Sequence, residues 1–408
     1  MAVGTLDKAA LPVQPALLAI LLSISAGHML NDMMQSVLTS IYPLIKESLA
    51  LDFVHIGIIT LVFQLSASIL QPLVGWYTDK NPKPFSLPFG MASTLLGMLL
   101  LATADGFLTV LMAAALVGVG SSVFHPEASR VARLAAGGRY GFAQSLFQVG
   151  GNFGQAVGPL LVAIIVIPRG QAHVAWFALA AVIGMAILTN VGRWYGRTLA
   201  DIRRAKGPAP STAPPVSKNM VIVCLAILIA LTFSKNFYMA GFSSYYTFYL
   251  MDRFDLSIQS AQIHLFMFLG AAAAGTLLGG PIGDRVGRKF VLWFSIFGAL
   301  PLTLALPYVD LLWTDVLAIL IGFIMASAFP AIMVYAQSLL PGRIGTVAGL
   351  FFGFAFGMGG LGAAVLGWLA DRTSIGYVYQ VCSFLPLLGI FVAFLPDLDR
   401  LPGKLRTA

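Results

Sequence analysis

Stretches of about twenty apolar residues recur along almost the whole chain, divided by short polar or Pro/Gly-rich breaks. About 20 such residues are needed to cross a hydrocarbon core as a helix, and only helices or closed barrels satisfy every backbone group there. Barrel strands would instead show weak alternation over about ten residues, which this sequence lacks. Composition agrees, with 58% of the 408 residues hydrophobic and 10% charged, against about 45–50% and 25% for a soluble domain. The chain reads as an all-α integral membrane protein.

The apolar windows predict twelve transmembrane helices, over 16–45, 54–78, 86–104, 107–135, 140–167, 172–194, 219–250, 257–282, 289–308, 311–340, 344–369 and 376–396. The first is too long for a signal-peptide core, so it is expected to be retained. The single long polar break, residues 196–218, is rich in Pro, Ala and basic residues and reads as a flexible linker. It divides an N-terminal six-helix bundle (1–195) from a C-terminal one (219–408).

Lys80, Lys83, Arg133, Arg139, Arg203, Arg204, Arg285, Arg288, Lys289, Lys404 and Arg406 all fall on one side of this arrangement. Only Lys46, Arg169, Arg253 and Arg372 fall on the other. The positive-inside rule then places both termini in the cytoplasm. The net charge of +8 is explained by topology, and no nucleic-acid partner is needed. Cys224 and Cys382 lie in different spans and read as small hydrophobes, giving neither a disulfide framework nor a metal set. With no Walker loop, nucleotide elbow or Ser-His-Asp order, the sequence points to no enzyme and no cofactor.

The two halves resemble each other. A shift of 204 residues lays "FHPEASRVARLAAGGRYG" (124–141) over "AFPAIMVYAQSLLPGRIG" (328–345), matching Pro126 to Pro330, Arg139 to Arg343 and Gly141 to Gly345. A shift of 205 lays "GWYTDK" (75–80) over "GPIGDR" (280–285). Internal repeats of this kind build transporters whose bundles rock about a central site. "GGPIGDRVGRK" (279–289) resembles the loop between the second and third helices of each half in the major facilitator superfamily, and "GWYTDKNPKP" keeps Gly75, Asp79 and Lys80 of it. The resemblance implies that superfamily's fold, two pseudo-symmetric six-helix bundles. Gly75, Asp79, Gly280, Asp284, Arg285 and Arg288 are expected to form a latch at the cytoplasmic end, with the arginines closing over Asp284; Lys289 is an ordinary positive-inside charge. Further stretches, "HMLNDMMQSVL" (28–38), "GSSVFHPEASRVAR" (120–133) and "QSLFQVGGNFG" (144–154) among them, are similar to a bacterial drug-exporting branch. That similarity implies an inner-membrane exporter driven by the proton gradient.

Charges at mid-membrane cost about 2.5–3.5 kcal/mol on insertion scales and default to functional hypotheses. His28, Asn31, Asp32 and Gln35 recur at three- and four-residue steps on one face of the first span. Asp32 is the candidate proton carrier, with His125, Glu127 and Arg130 of the fourth span as partners. Glu127 and Arg130, three apart, form either a structural ion pair or a functional one in which Arg130 binds an anion or toggles the protonation of Glu127 or Asp32. His28, Asn31, Gln35, Gln64, Gln148, Asn152, Lys235, Tyr238, Tyr245 and Tyr246 are the candidate substrate-binding set, Lys235 as an anion partner deep in a span. Tyr249 suits an interfacial anchor, and His264 a packing role. The expected activity is export of a small polar or anionic drug in exchange for protons, by a monomer in the bilayer. A proton-coupled importer of an organic acid or sugar, or a transceptor signalling through its linker, are the alternatives.

Overall fold

The computed structural model describes residues 17–51, 53–204 and 214–399. The first half holds α1 (Leu18–Ser40), α2 (Phe53–Lys80), α3 (Ser86–Ala102), α4 (Phe107–Leu134), α5 (Tyr140–Val166) and α6 (Gln171–Arg204). The second holds α7 (Lys218–Phe254), α8 (Ile258–Val286), α9 (Arg288–Tyr308), α10 (Leu311–Leu339), α11 (Ile344–Arg372) and α12 (Ile375–Phe394). Ten of the described segments are long and apolar enough to cross a membrane. The shorter apolar α3 and the polar-striped α1 complete the twelve expected. The 28 residues of α4 rise about 42 Å at 1.5 Å each, enough for a hydrocarbon core of about 30 Å.

Residues 196–204, expected in the linker, are instead the end of α6. Arg203 and Arg204 in its last turn favour the negative pole of the helix, which lets it outrun its apolar part. Residues 205–213 lie outside the described residues, as do Lys404 and Arg406. The end of the molecule from which α6 and α7 reach the linker is called the linker end below.

Small residues set the tightest pairing, that of α1 with α5. A Cβ at Gly150 would fall on the Ser25 carbonyl, one at Gly154 on the Met29 carbonyl and one at Gly158 against Ser36, so only glycine admits this backbone approach. The second bundle is instead built around rings. Tyr238, Phe242, Tyr246 and Tyr249 of α7 are buried against Phe268 and Tyr379. Tyr238 and Tyr246 are therefore core rather than cavity lining, and Tyr249 is not an interfacial anchor. Tyr245 packs on α11, its hydroxyl donating to the Ala363 carbonyl at 2.6 Å. An aromatic stripe has the same spacing whether it faces a cavity or its own bundle, and here it does the second.

The bundles meet chiefly along α2 with α11 and α5 with α8, with α4 also packed on α11, and the close approaches of the two main seams lie toward the linker end. Gly345 lies on Gly75, Gly349 on Gln71 and Gly353 on Ser68, while one turn further a Cβ at Gly357 would meet nothing within 4 Å. On the other seam Gly141 lies on Gly280, and Asn152 reaches Thr276 Oγ1 at 3.3 Å. Further along α8, Gly270 again faces open space. The halves thus diverge away from the linker, leaving a cleft open at the opposite end.

Gly154→Leu is expected to cost about 1–3 kcal/mol through overpacking of α1 on α5. Thermal unfolding in detergent should show a lowered midpoint, while Phe153→Leu, at a neighbour 58% exposed, leaves it unchanged.

Candidate functional site

Deep in the first bundle, α1, α4 and α5 bring together two imidazoles and a carboxylate, all essentially inaccessible to solvent. His28 Nε2 lies 3.2 Å from His125 Nε2 and 3.3 Å from Asp32 Oδ2, and His125 Nε2 lies 3.5 Å from Asp32 Oδ1. Asn31 and Gln35 donate amide hydrogens to Asp32 Oδ1 at 3.1 and 2.9 Å, and Gln155 donates to Oδ2 at 3.0 Å. Hydrogen bonds to a charged acceptor contribute about 1.5–3 kcal/mol each. Three of them outweigh the penalty for a carboxylate at this depth. Gly151 makes the cluster possible, since a Cβ there would stand 2.5 Å from His28 Nε2.

The outer nitrogens fix the hydrogens. His28 Nδ1 is 2.8 Å from the Phe147 carbonyl and His125 Nδ1 is 3.0 Å from the Ser121 carbonyl. A carbonyl only accepts, so each Nδ1 carries the hydrogen and each neutral ring leaves a bare lone pair on Nε2. Those lone pairs face each other and a carboxylate. A cation placed among them would relieve that repulsion.

Nearer the linker end, Asp79 of α2 accepts from the Gly345 and Thr346 amides at 2.9 and 2.7 Å and from the Thr346 hydroxyl at 2.5 Å. It caps the start of α11 in the opposite bundle. Arg130 binds the same carboxylate at 2.7 Å, Glu127 at 3.0 Å and the Thr78 carbonyl at 2.7 Å, and Ser86 donates to Glu127 at 3.1 Å. On the other seam Asp284 of α8 accepts from the Gly141 and Phe142 amides, both at 2.9 Å, capping the start of α5. Gly75 and Gly280 supply the close contacts beside these caps. The arginines do not close over Asp284: Arg285 is exposed, and Arg288 turns to Ser338 at 3.2 Å and Asp399 at 3.4 Å.

The structure therefore regroups the expected residues. His28, Asn31 and Gln35, expected to bind substrate, surround Asp32 instead. Glu127 and Arg130 belong to the linker-end network and not to the Asp32 cluster, since Arg130 sits one turn from the end of α4 and its donors are used there. His125 does join Asp32. Gln148 donates to Asn152 at 3.4 Å, beside the α5–α8 seam, and Gln64 is half-buried on α2, one turn from Ser68 toward the open end. The second bundle packs aromatic rings against the cluster. Phe352 and Phe356 of α11 contact His125 at centroid distances of 5.0 and 5.1 Å, and Phe329 of α10 contacts Phe352. The Lys235 ammonium stands 5.3 Å over the Phe329 ring, with no acid paired to it among the described residues. His264 does have a partner, Asp315 at 2.5 Å, which sequence reasoning missed because α8 and α10 are not adjacent in the chain. Thr78, Thr346 and Ser86 were likewise unsignalled, being ordinary hydroxyl residues in apolar helices.

The sequence profile of the Major Facilitator Superfamily matches residues 24–364. The chain belongs to that superfamily. This facilitator is a membrane transporter of small molecules and not an enzyme. It is 61% identical over 379 residues to the Fosmidomycin resistance protein of Escherichia coli (strain K12), covering 93% of each chain. It is 42% identical over 398 residues to an uncharacterized MFS-type transporter, YfnC, of Bacillus subtilis (strain 168), covering 97% and 96%. Among solved structures, FucP in its outward conformation aligns with a TM-score of 0.71 at 18% identity, over 93% of this chain and 98% of that one. The human organic anion transporter MFSD10 aligns at 0.72 and 18%, over 93% and 100%. These two likenesses concern the fold alone.

Asp79→Ala removes a helix cap of about 0.5–2 kcal/mol and strips Arg130 of a buried partner. The seam beside it should open at least roughly tenfold more often, at about 1.4 kcal/mol per decade. A Gln71→Cys reporter, with buried Cys224 and Cys382 replaced by serine, should then react correspondingly faster with a maleimide; an unchanged rate would remove Asp79 from the latch.

Proposed function

We propose that this facilitator is a proton-coupled exporter of the bacterial inner membrane, with both termini cytoplasmic, acting as a monomer on a small polar or anionic drug. The observation that carries the proton half is the converging pair of bare Nε2 lone pairs beside Asp32. A proton resolves that conflict and leaves it restored on departure. The cluster is reached from the cleft past Gln35 and Gln155, which partly face it. Protons entering from the open end and leaving when the bundles rock would drive substrate the other way, by alternating access.

The substrate half rests on Lys235 and on the relative. Fosmidomycin is a phosphonate, and an ammonium held over a ring without an acidic partner suits an anion. Arg130, committed to Asp79 and Glu127, is not part of this reading; nor are Tyr238, Tyr245 and Tyr246, buried or engaged within the second bundle. Gln64, Gln148 and Asn152 remain as polar lining beside the cleft. Asp79 and Asp284 hold the cytoplasmic side shut while the cleft faces outward.

In everted vesicles with an acidified lumen, added fosmidomycin should release protons to the medium. Asp32→Asn should reduce that release to the level of empty vesicles, and the variant should leave an exporter-deficient host at its basal susceptibility. Lys235→Ala should lower apparent affinity for the drug about tenfold or more while substrate-independent proton leak stays unchanged. Drug accumulation inside cells driven by an inward proton gradient would favour the importer instead.

A further inference from the structure

The same three donors fit a metal ion. In a tetrahedral site with ligands at about 2.0–2.1 Å, neighbouring donor atoms stand roughly 3.3–3.4 Å apart. The two Nε2 atoms stand 3.2 Å apart, and the Asp32 carboxylate spans them, with Oδ2 3.3 Å from His28 and Oδ1 3.5 Å from His125; one donor atom from each residue lies within 4.8 Å of the others. Each imidazole also donates its outer N–H to a backbone carbonyl, the second contact that orients metal-binding histidines and raises their donor strength. Beside the cluster, Asn31 is fully buried with an Oδ1 that lacks a hydrogen-bond partner; since its Nδ2 faces Asp32 at 3.1 Å, the amide would have to turn over to add a fourth ligand. Two nitrogens and one carboxylate select late divalent metals over magnesium and calcium, which prefer all-oxygen shells.

We propose that His28, Asp32 and His125 form a binding site for a zinc-class divalent cation within the first bundle. Nothing in sequence spacing suggested it, because His28 and His125 lie 97 residues apart and no local motif links them. The cation would reach the site from the cleft once the Gln35 and Gln155 amides swing away from Asp32. It would tie α1 to α4 through the very lone pairs that face the cluster's interior. Zinc-bound protein should therefore be arrested, a consequence that rests on the proton-exchange reading; the binding itself does not.

The test uses the full chain, purified without a histidine tag in detergent and dialysed against zinc chloride. Metal analysis should give one equivalent for the wild type. It should give less than about a tenth of that for His125→Gln and Asp32→Asn, and a full equivalent for His264→Gln, whose imidazole has only a single carboxylate beside it. Because a buried substitution can prevent folding, X-ray absorption of the zinc-loaded wild type provides a second measurement. It should show two imidazole nitrogens at about 2.0–2.1 Å. No bound zinc in the wild type, equal binding in the cluster variants, or a shell without histidine would each overturn the site. Micromolar zinc should also stop drug-dependent proton release, reversibly with a chelator. Stoichiometric binding with undiminished transport would count against the proton reading while supporting the metal site, so the two fail separately.

Discussion

Two aspartates, each capping a helix of the opposite bundle, hold the halves of this protein together at the linker end. The first amides of a helix have no partner within it, and at the nearly buried Asp79 seam water has little access to supply one. Asp79 satisfies those of α11 and Asp284 those of α5. Because a carboxylate must come within hydrogen-bond reach of a backbone, the glycines beside it admit no side chain. The closest approach of the bundles is thereby fixed at one end, and the cleft at the other end follows from it.

The two caps are unequal, and the inequality decides where the molecule is coupled. Asp284 is exposed, whereas Asp79 is nearly buried and shared with Arg130 of α4. Under the shift of 204 residues, Arg130 corresponds to Val334, so the second half has no arginine at the matching position. Among the described residues, only one seam is therefore tied through an ion-pair network to a helix that also carries part of the buried cluster. His125 and Arg130 are five residues apart on α4, and each meets α11: His125 through Phe352 and Phe356, Arg130 through Asp79.

Much of this was legible in the chain. Hydropathy yields all twelve helices because each must be apolar on its own to cross lipid, a local requirement. The repeat also pointed to the two cross-bundle caps, since Asp79 matches Asp284 and Gly141 matches Gly345, and the structure joins these pairs crosswise. The cluster was half legible: the spacing of His28, Asn31, Asp32 and Gln35 put them on one face of α1, but periodicity is blind to what that face meets. Depth was the weaker inference. Glu127 and Arg130 share a face with each other, yet whether a pair near a helix end belongs to the cavity or the seam depends on the neighbouring bundle. The tyrosines of α7 fail for the same reason, their stripe being turned toward Phe268 and Tyr379.

What separates the halves is the division between charge and surface. At the position matching His125 the second bundle has Phe329, and this ring packs on Phe352, which packs on His125. The second bundle thus presents an aromatic floor to the cluster of the first, with Lys235 standing over the ring that replaces the histidine. Its own ionisable pair, His264 with Asp315, joins α8 to α10 within that bundle. In the proposed cycle a cation arriving among His28, His125 and Asp32 changes the charge of a ring in contact with α11. The start of that helix is capped by Asp79. Cluster and latch act on the same pair of helices, α4 and α11, so a change at one is applied to a body whose far end the other holds.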